Sequence, residues 1–393
     1  MKGPRPPREA GIELGRIYCC FSVVLIHLSA FYPSQPDVSL AWSLAKCAST
    51  PVFFLIAGFF FAADKPFSMY MRRITARVLI PMVLVMLLIA QFTPWLASRG
   101  SLAECLRAPN LANFLLVGRI LVTTWPYEYL EGYNPFISLW FSFALFLCYL
   151  FIPILKLVCA EGAAARRLKM YVIWMGAFFF IVRVTLLCLF QDSFTFQHLD
   201  WWIEQKPFYW LWLMIVGHEI RARWDSPGFK ERWRPRILWW SLAAYLLGGT
   251  ALFLITMEFN VAPDGLVNQI YYNREFVLYV VAQLGMFLFF VSLNPGRGAL
   301  SRVILFVADK TFYIYIIHEA VYHKLLAVTG WDITRIGGYL SFGVLTFAVA
   351  AFFAVWLKRI EKAVASLFAR RAGPAPARAP SQDGLGLRPP GGR

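Results

Sequence analysis

Along this chain, apolar runs of about twenty residues alternate with short polar punctuation rich in Pro, Gly, Arg and Lys. Crossing about 30 Å of hydrocarbon takes a helix of that length. Ten runs qualify as expected transmembrane helices: Leu14–Tyr32, Leu40–Ala62, Ile74–Pro94, Phe136–Leu157, Tyr171–Phe190, Phe208–Ile220, Ile237–Met257, Phe276–Leu293, Val303–Tyr322 and Tyr339–Leu357. The sixth is short. A further stretch, Leu111–Trp125, is interrupted by Gly118 and Arg119, and a re-entrant or interfacial helix suits the alternation better than another crossing. The expected fold is therefore all-α and polytopic, with a cytoplasmic segment over 1–13, a membrane domain over 14–360 and a tail over 361–393.

Composition excludes the soluble alternatives. Hydrophobic residues make up 59% of the 393 and charged residues only 15%, with a mean hydropathy of +0.58; a water-soluble domain does not tolerate that balance. The net charge of +16 would suit a nucleic-acid partner in a soluble protein. Its distribution argues otherwise. With the N-terminus inside and ten alternating spans, the 38 Lys and Arg divide into 29 on inner loops and tails, 7 on outer loops and 2 in the membrane interior. That is the positive-inside pattern, so both termini are expected in the cytoplasm and no nucleic acid is needed.

The seven cysteines, at 19, 20, 47, 105, 148, 159 and 188, form no CxxC pair, so neither zinc nor disulfides are expected to organise the fold. No metal or permanently bound cofactor is expected. The first apolar run lacks a small-residue cleavage site and reads as a retained anchor. Beyond about Arg370 the tail is rich in Pro, Gly, Ala and Arg, a composition that cannot bury enough apolar surface to fold.

Ionisable groups inside hydrocarbon are costly, which makes each a functional candidate. His27 follows Arg16 by eleven residues, almost three whole helical turns, so the two share a face with about 16.5 Å between them along the axis. Arg16 then lies at the inner boundary and His27 deep in the membrane, towards the outer side. Counting from the span ends puts Lys46, Arg183 and His318 near the depth of His27, with Glu319 beside His318, and suggests a polar chamber in the outer half. Lys46 and His318 also suit simple snorkelling to the interface. Arg72, Arg73 and Arg77 open the third span, and Arg73 and Arg77, four residues apart, suit phosphate oxygens as well as membrane anchoring.

These motifs together resemble the integral-membrane acyltransferase family 3. RIYCCFSVVLIH carries its Arg, ten residues, His signature at Arg16 and His27, with acidic Glu13 ahead of it. TPVFFLIAGFFF is similar to its second span at Pro51, Phe53, Phe54 and Gly58, and MRRITARVLIP to its basic motif. LWFSFALFLCYLFIPIL, from Leu139 with Tyr149 and Pro153, is similar to its Leu-Trp-Phe span, and FYIYIIH to a motif ending at His318. Ala57 stands where Ser is usual, and Arg77 precedes Pro81 by four residues instead of three.

The resemblance implies an O-acyltransferase of the bacterial inner membrane. It would move an acyl group, commonly acetyl, from acyl-CoA to a hydroxyl of a glycan or lipid-linked saccharide, with acyl-CoA a co-substrate and not a resident cofactor. Arg16, Arg73 and Arg77 would hold its phosphates, His27 would act as general base in direct transfer or first carry the acyl group as an acyl-imidazole, and Glu319 is the candidate to fix the imidazole tautomer. Lys46, Arg183 and His318 are candidate cavity residues and oxyanion donors. A transporter or flippase is the competing class, but it predicts symmetric halves, whereas the charged motifs here gather in spans one to three and nine. A lipid-carrier glycosyltransferase would place catalytic carboxylates in a long loop, and Glu104, Glu128 and Glu131 show no such arrangement. A membrane scaffold is the least demanding alternative, and the Arg16–His27 stripe argues against it.

Overall fold

A computed structural model describes residues 9–28, 36–96, 101–107, 109–123, 139–189, 207–259, 276–296 and 298–371. Among them there is no strand; helices carry the whole architecture. In chain order these are α1 (Ala10–Leu28), α2 (Pro36–Cys47), α3 (Thr50–Phe59), α4 (Phe67–Ile74), α5 (Ile80–Leu96), α6 (Leu102–Arg107), α7 (Leu111–Thr123), α8 (Trp140–Leu150), α9 (Ile152–Val158), α10 (Ala163–Ala177), α11 (Arg183–Leu189), α12 (Pro207–Trp224), α13 (Phe229–Phe259), α14 (Val277–Ser292), α15 (Ala299–Ala308), α16 (Thr311–Thr329) and α17 (Ile336–Arg371). π-helical turns at Thr75–Leu79 and Phe178–Val182 join α4 to α5 and α10 to α11.

Among the described residues, six stretches are long and apolar enough to span a membrane: Ala10–Leu28, Pro36–Phe59, Phe67–Leu96, Ala163–Leu186, Phe229–Met257 and Ile336–Glu361. A seventh is added if α8 and α9, bent by 59° at Phe151, form one span. The other expected spans are helical but differ in character. The last two turns of α12 carry Glu219, Arg221 and Arg223, which makes it too polar at one end. The eighth expected run gives only the 16 residues of α14. The ninth, expected unbroken over Val303–Tyr322, is broken at Asp309–Lys310 into α15 and α16. A tertiary and a local contact hold that break: Lys358 of α17 bridges to Asp309 at 2.5 Å, and Thr311 Oγ1 donates to Ala308 O at 2.9 Å across it. The stretch from Leu111 forms the short apolar helix α7, packed on α5.

α1 is the central post. It touches α2, α3, α14, α15, α16 and α17. Because lipid tails are as apolar as Leu, helices in a bilayer are held by close packing more than by water exclusion, and small residues permit it. A Cβ on Gly15 would come within 2.9 Å of the Phe290 side chain. Gly58 on α3 and Gly217 on α12 each face the partner helix's backbone, at Met214 and Leu55 respectively, so any side chain there would force the two helices apart. This reciprocal contact accounts for the glycine of the second-span motif.

Candidate active site

The unbroken helix α1 fixes both ends of the Arg16–His27 stripe. Glu13 in its first turn complements the helix dipole and accepts a hydrogen bond from Arg16 Nη1 at 2.9 Å. Three turns on, His27 closes the last described turn with its side chain 20% exposed, and its Nδ1 lies 2.5 Å from Oε1 of Glu319. Glu319 is buried on α16. Oε1 makes no well-angled hydrogen bond, so proximity and charge hold this pair more than alignment does. An oxygen anion so close requires the proton on Nδ1, which leaves Nε2 of His27 as the basic nitrogen.

His318 completes the cluster. Its ring is fully buried and its centroid lies 5.1 Å from that of His27. The Nδ1 atom stands 2.6 Å from the Tyr315 carbonyl, which only accepts, so Nδ1 carries the hydrogen and Nε2 a lone pair. That Nε2 is buried with no hydrogen-bond partner among the described residues. In this tautomer His318 donates nothing to a developing oxyanion, contrary to one of the roles expected from sequence.

Two neighbours join the cluster, His323, which was not singled out from sequence, and Tyr315 of the FYIYIIH motif. His323, one turn beyond Glu319, approaches its second oxygen at 3.7 Å; the i,i+4 spacing on one helix was the available signal. Tyr315 stacks edge-on against Phe141 of α8 at 5.4 Å, tying the Leu-Trp-Phe helix to this cluster.

The other expected cavity cations separate. Lys46 is half-buried with Nζ 4.6 Å above the Trp42 ring, and Trp42 Nε1 donates to Ile26 O at 3.2 Å, so Lys46 reaches the His27 turn through an aromatic intermediary. Arg183 is exposed, while adjacent Val184 turns into the core. Arg183 is not brought to His27.

At the opposite end of α1, Arg73 and Arg77 are exposed. The π-turn, marked by Ile80 N–H donating to Thr75 O, interrupts the α-helical register that would stack one Arg over the other. Arg16 and Arg73 both act electrostatically on Tyr149. From Tyr149 an aromatic chain runs through Tyr70 at 6.2 Å and Phe61 at 5.4 Å to His218 at 6.2 Å. Phe61 and His218 line a cavity of about 1220 Å³ with Lys156, Arg166, Lys169 and Glu219. Buried Lys169 pairs with Glu219 at 2.8 Å, which also receives Arg223 at 2.9 Å. At the rim, a hydrogen bond from Lys65 holds the Asp64 carboxyl below its usual range.

A protein-family model described as an acyltransferase domain, that of acyltransferase family 3, matches residues 9–355, a span that contains both ends of the α1 stripe and the whole of α16. The chain belongs to acyltransferase family 3. No curated protein and no solved structure matches it significantly. In this membrane acyltransferase, His27, His318 and Glu319 cluster at one end of the α1 stripe, and Arg16 lies three turns away at the other.

Proposed function

We propose that this acyltransferase transfers an acyl group, acetyl in the simplest case, from acyl-CoA to a hydroxyl of a glycan or lipid-linked saccharide. The His27–Glu319 contact carries this reading, because a base held in one tautomer by a buried carboxylate is what deprotonation of an alcohol requires. His27 Nε2 takes the hydroxyl proton as the oxygen attacks the thioester carbonyl. The tetrahedral intermediate collapses with cleavage of the C–S bond, and the imidazolium returns the proton to the departing CoA sulfur. The products are the ester and free CoA. Glu319 stabilises the transient imidazolium, and Lys46 is the cation best placed to approach the oxyanion through modest rearrangement. Arg183, being exposed, is left out of this centre.

The donor would enter from the basic end. Arg16 and Arg73 are assigned to its phosphates, Arg77 to a looser electrostatic role, and the 1220 Å³ cavity to the nucleotide. An extended pantetheine arm then runs beside α1 over the about 16.5 Å to His27. An apolar groove of about 270 Å³ between α5, α16 and α17, with Lys324 at one end, favours a lipid-linked acceptor. In this proposal the chain crosses a bacterial inner membrane about ten times, with both termini in the cytoplasm and the cavity on that side.

The decisive experiment supplies acetyl-CoA and an acceptor glycan to protein in membranes and follows release of free CoA. The wild type should turn over and His27→Ala should lose about 10²–10⁴-fold in rate while still folding. A transporter would release no CoA, and undiminished turnover in the variant would remove His27 from the chemistry.

A further inference from the structure

We infer that His27, His318 and Glu319 form a binding site for a divalent first-row transition metal, Zn2+ foremost, and that its occupation silences the enzyme. The metal-binding half stands on geometry alone, and only the silencing half rests on the function proposed above. One ligand atom from each of the three residues lies within 4.8 Å of the other two. Tetrahedral zinc with bonds of about 2.0–2.2 Å spaces its ligands roughly 3.3–3.6 Å apart, so side-chain shifts of about an ångström, opening the His27–Glu319 pair from 2.5 Å and drawing in the wider ones, would fit the cluster to the ion.

The orientation of His318 makes this more than a chance cluster. Metal-bound histidines almost always donate their second ring nitrogen to a carbonyl or carboxylate, which fixes the other nitrogen as a ligand. His318 is built this way: Nδ1 is tied to the Tyr315 carbonyl at 2.6 Å, and Nε2 is a buried lone pair without a partner among the described residues, in a ring wholly shielded from solvent. His323 stands 3.7 Å from the other Glu319 oxygen and would orient the carboxylate in turn. Two imidazoles and one carboxylate, with a fourth position open, favour zinc over magnesium or calcium, which prefer oxygen donors. Beside Glu319 the ion would take the place of the Nδ1 proton of His27; a neutral imidazole bound through Nδ1 carries its hydrogen on Nε2, so the lone pair on which His27 depends as a base is lost and the bound ion inhibits.

The test uses full-length protein in nanodiscs, stripped with chelator and titrated with ZnCl2 against a fluorescent zinc indicator. One Zn2+ per chain should bind, MgCl2 should not compete, and His318→Gln and Glu319→Gln should each weaken binding about tenfold or more. Should a variant misfold, X-ray absorption at the zinc edge of the wild type decides: two imidazole nitrogens and a carboxylate oxygen are expected. Binding that is absent, that survives both substitutions in folded protein, or that shows any other donor set overturns the site. Micromolar ZnCl2 should also stop CoA release, reversibly on adding EDTA; full activity with zinc bound overturns the silencing half. Zinc bound as described in a protein that never releases CoA would leave the site standing and sink the acyl-transfer reading instead.

Discussion

The two ends of α1 are built on opposite principles. At the His27 end, few groups meet at short range inside the protein: Glu319 and His318 are buried, and each ring nitrogen that faces an acceptor has its proton assigned by it. At the Arg16 end there are many cations, several of them exposed, and most of their attraction for an anion is shared. A buried centre concentrates function in individual atoms because low dielectric magnifies each interaction. A solvated basic surface spreads it, because water and salt screen each charge. Substitutions at the first end should therefore act on the chemical step, and those at the second on donor affinity.

After the loss already expected for His27→Ala, Glu319→Gln gives the largest effect. The amide keeps the shape but presents no anion to Nδ1, so the imidazole is free to take the wrong tautomer and its protonated form goes unstabilised. The rate constant kcat should fall about 10²–10⁴-fold, by analogy with carboxylates that orient a catalytic histidine, while KM for acyl-CoA stays near wild type. Glu319→Asp, which retains the charge with a shorter reach, should recover part of the loss. Equal damage to kcat and KM would mean that Glu319 merely holds α16 against α1.

Intermediate effects belong to the basic end. Arg73→Ala should raise KM for acyl-CoA about tenfold, the scale of one charge-assisted hydrogen bond, with kcat little changed. Arg77→Ala should raise it about threefold or less, because it lies beyond the onset of the π-turn, which takes it out of register with Arg73. Steady-state kinetics over a range of acyl-CoA concentrations separates the two. Equal effects would show that an unperturbed helical face, as the spacing alone suggested, governs donor binding.

How much of this was legible in the sequence follows from what kind of information each feature needs. The α1 stripe was legible because it lies within one uninterrupted helix, where spacing converts directly into geometry. The pairing of Glu319 with His27 was open to suspicion only, since a separation of 292 positions along the chain carries no ruler between α1 and α16. The break at Asp309–Lys310 was missed because two polar residues in an apolar run look like a snorkelling pair; their meaning comes from Lys358, on a helix some fifty residues later. The π-turns leave no mark in an apolar pattern, and the large cavity assembles Phe61, Lys156, Lys169 and Glu219 from four separate elements. The order of the motifs did carry the family, whose match covers 9–355.

Arg183 supplies the smallest effect and the sharpest lesson about depth. Counting along its helix put it level with His27, and a charge at that level is costly if it meets lipid. Depth is only one coordinate, however, and rotation about the helix axis is set by packing. Val184 takes the inward position against the core, which turns Arg183 outward. From there its long side chain can extend towards the interface, and it makes no part of the buried cluster. Arg183→Leu should accordingly leave kcat and KM within about twofold of wild type, and removal of a lipid-facing charge should not lower thermal stability. A loss of activity comparable with that of Glu319→Gln would show that this helix turns Arg183 inward during turnover, and the contrast between a compact chemical end and a diffuse donor end would have to be redrawn around a larger buried centre.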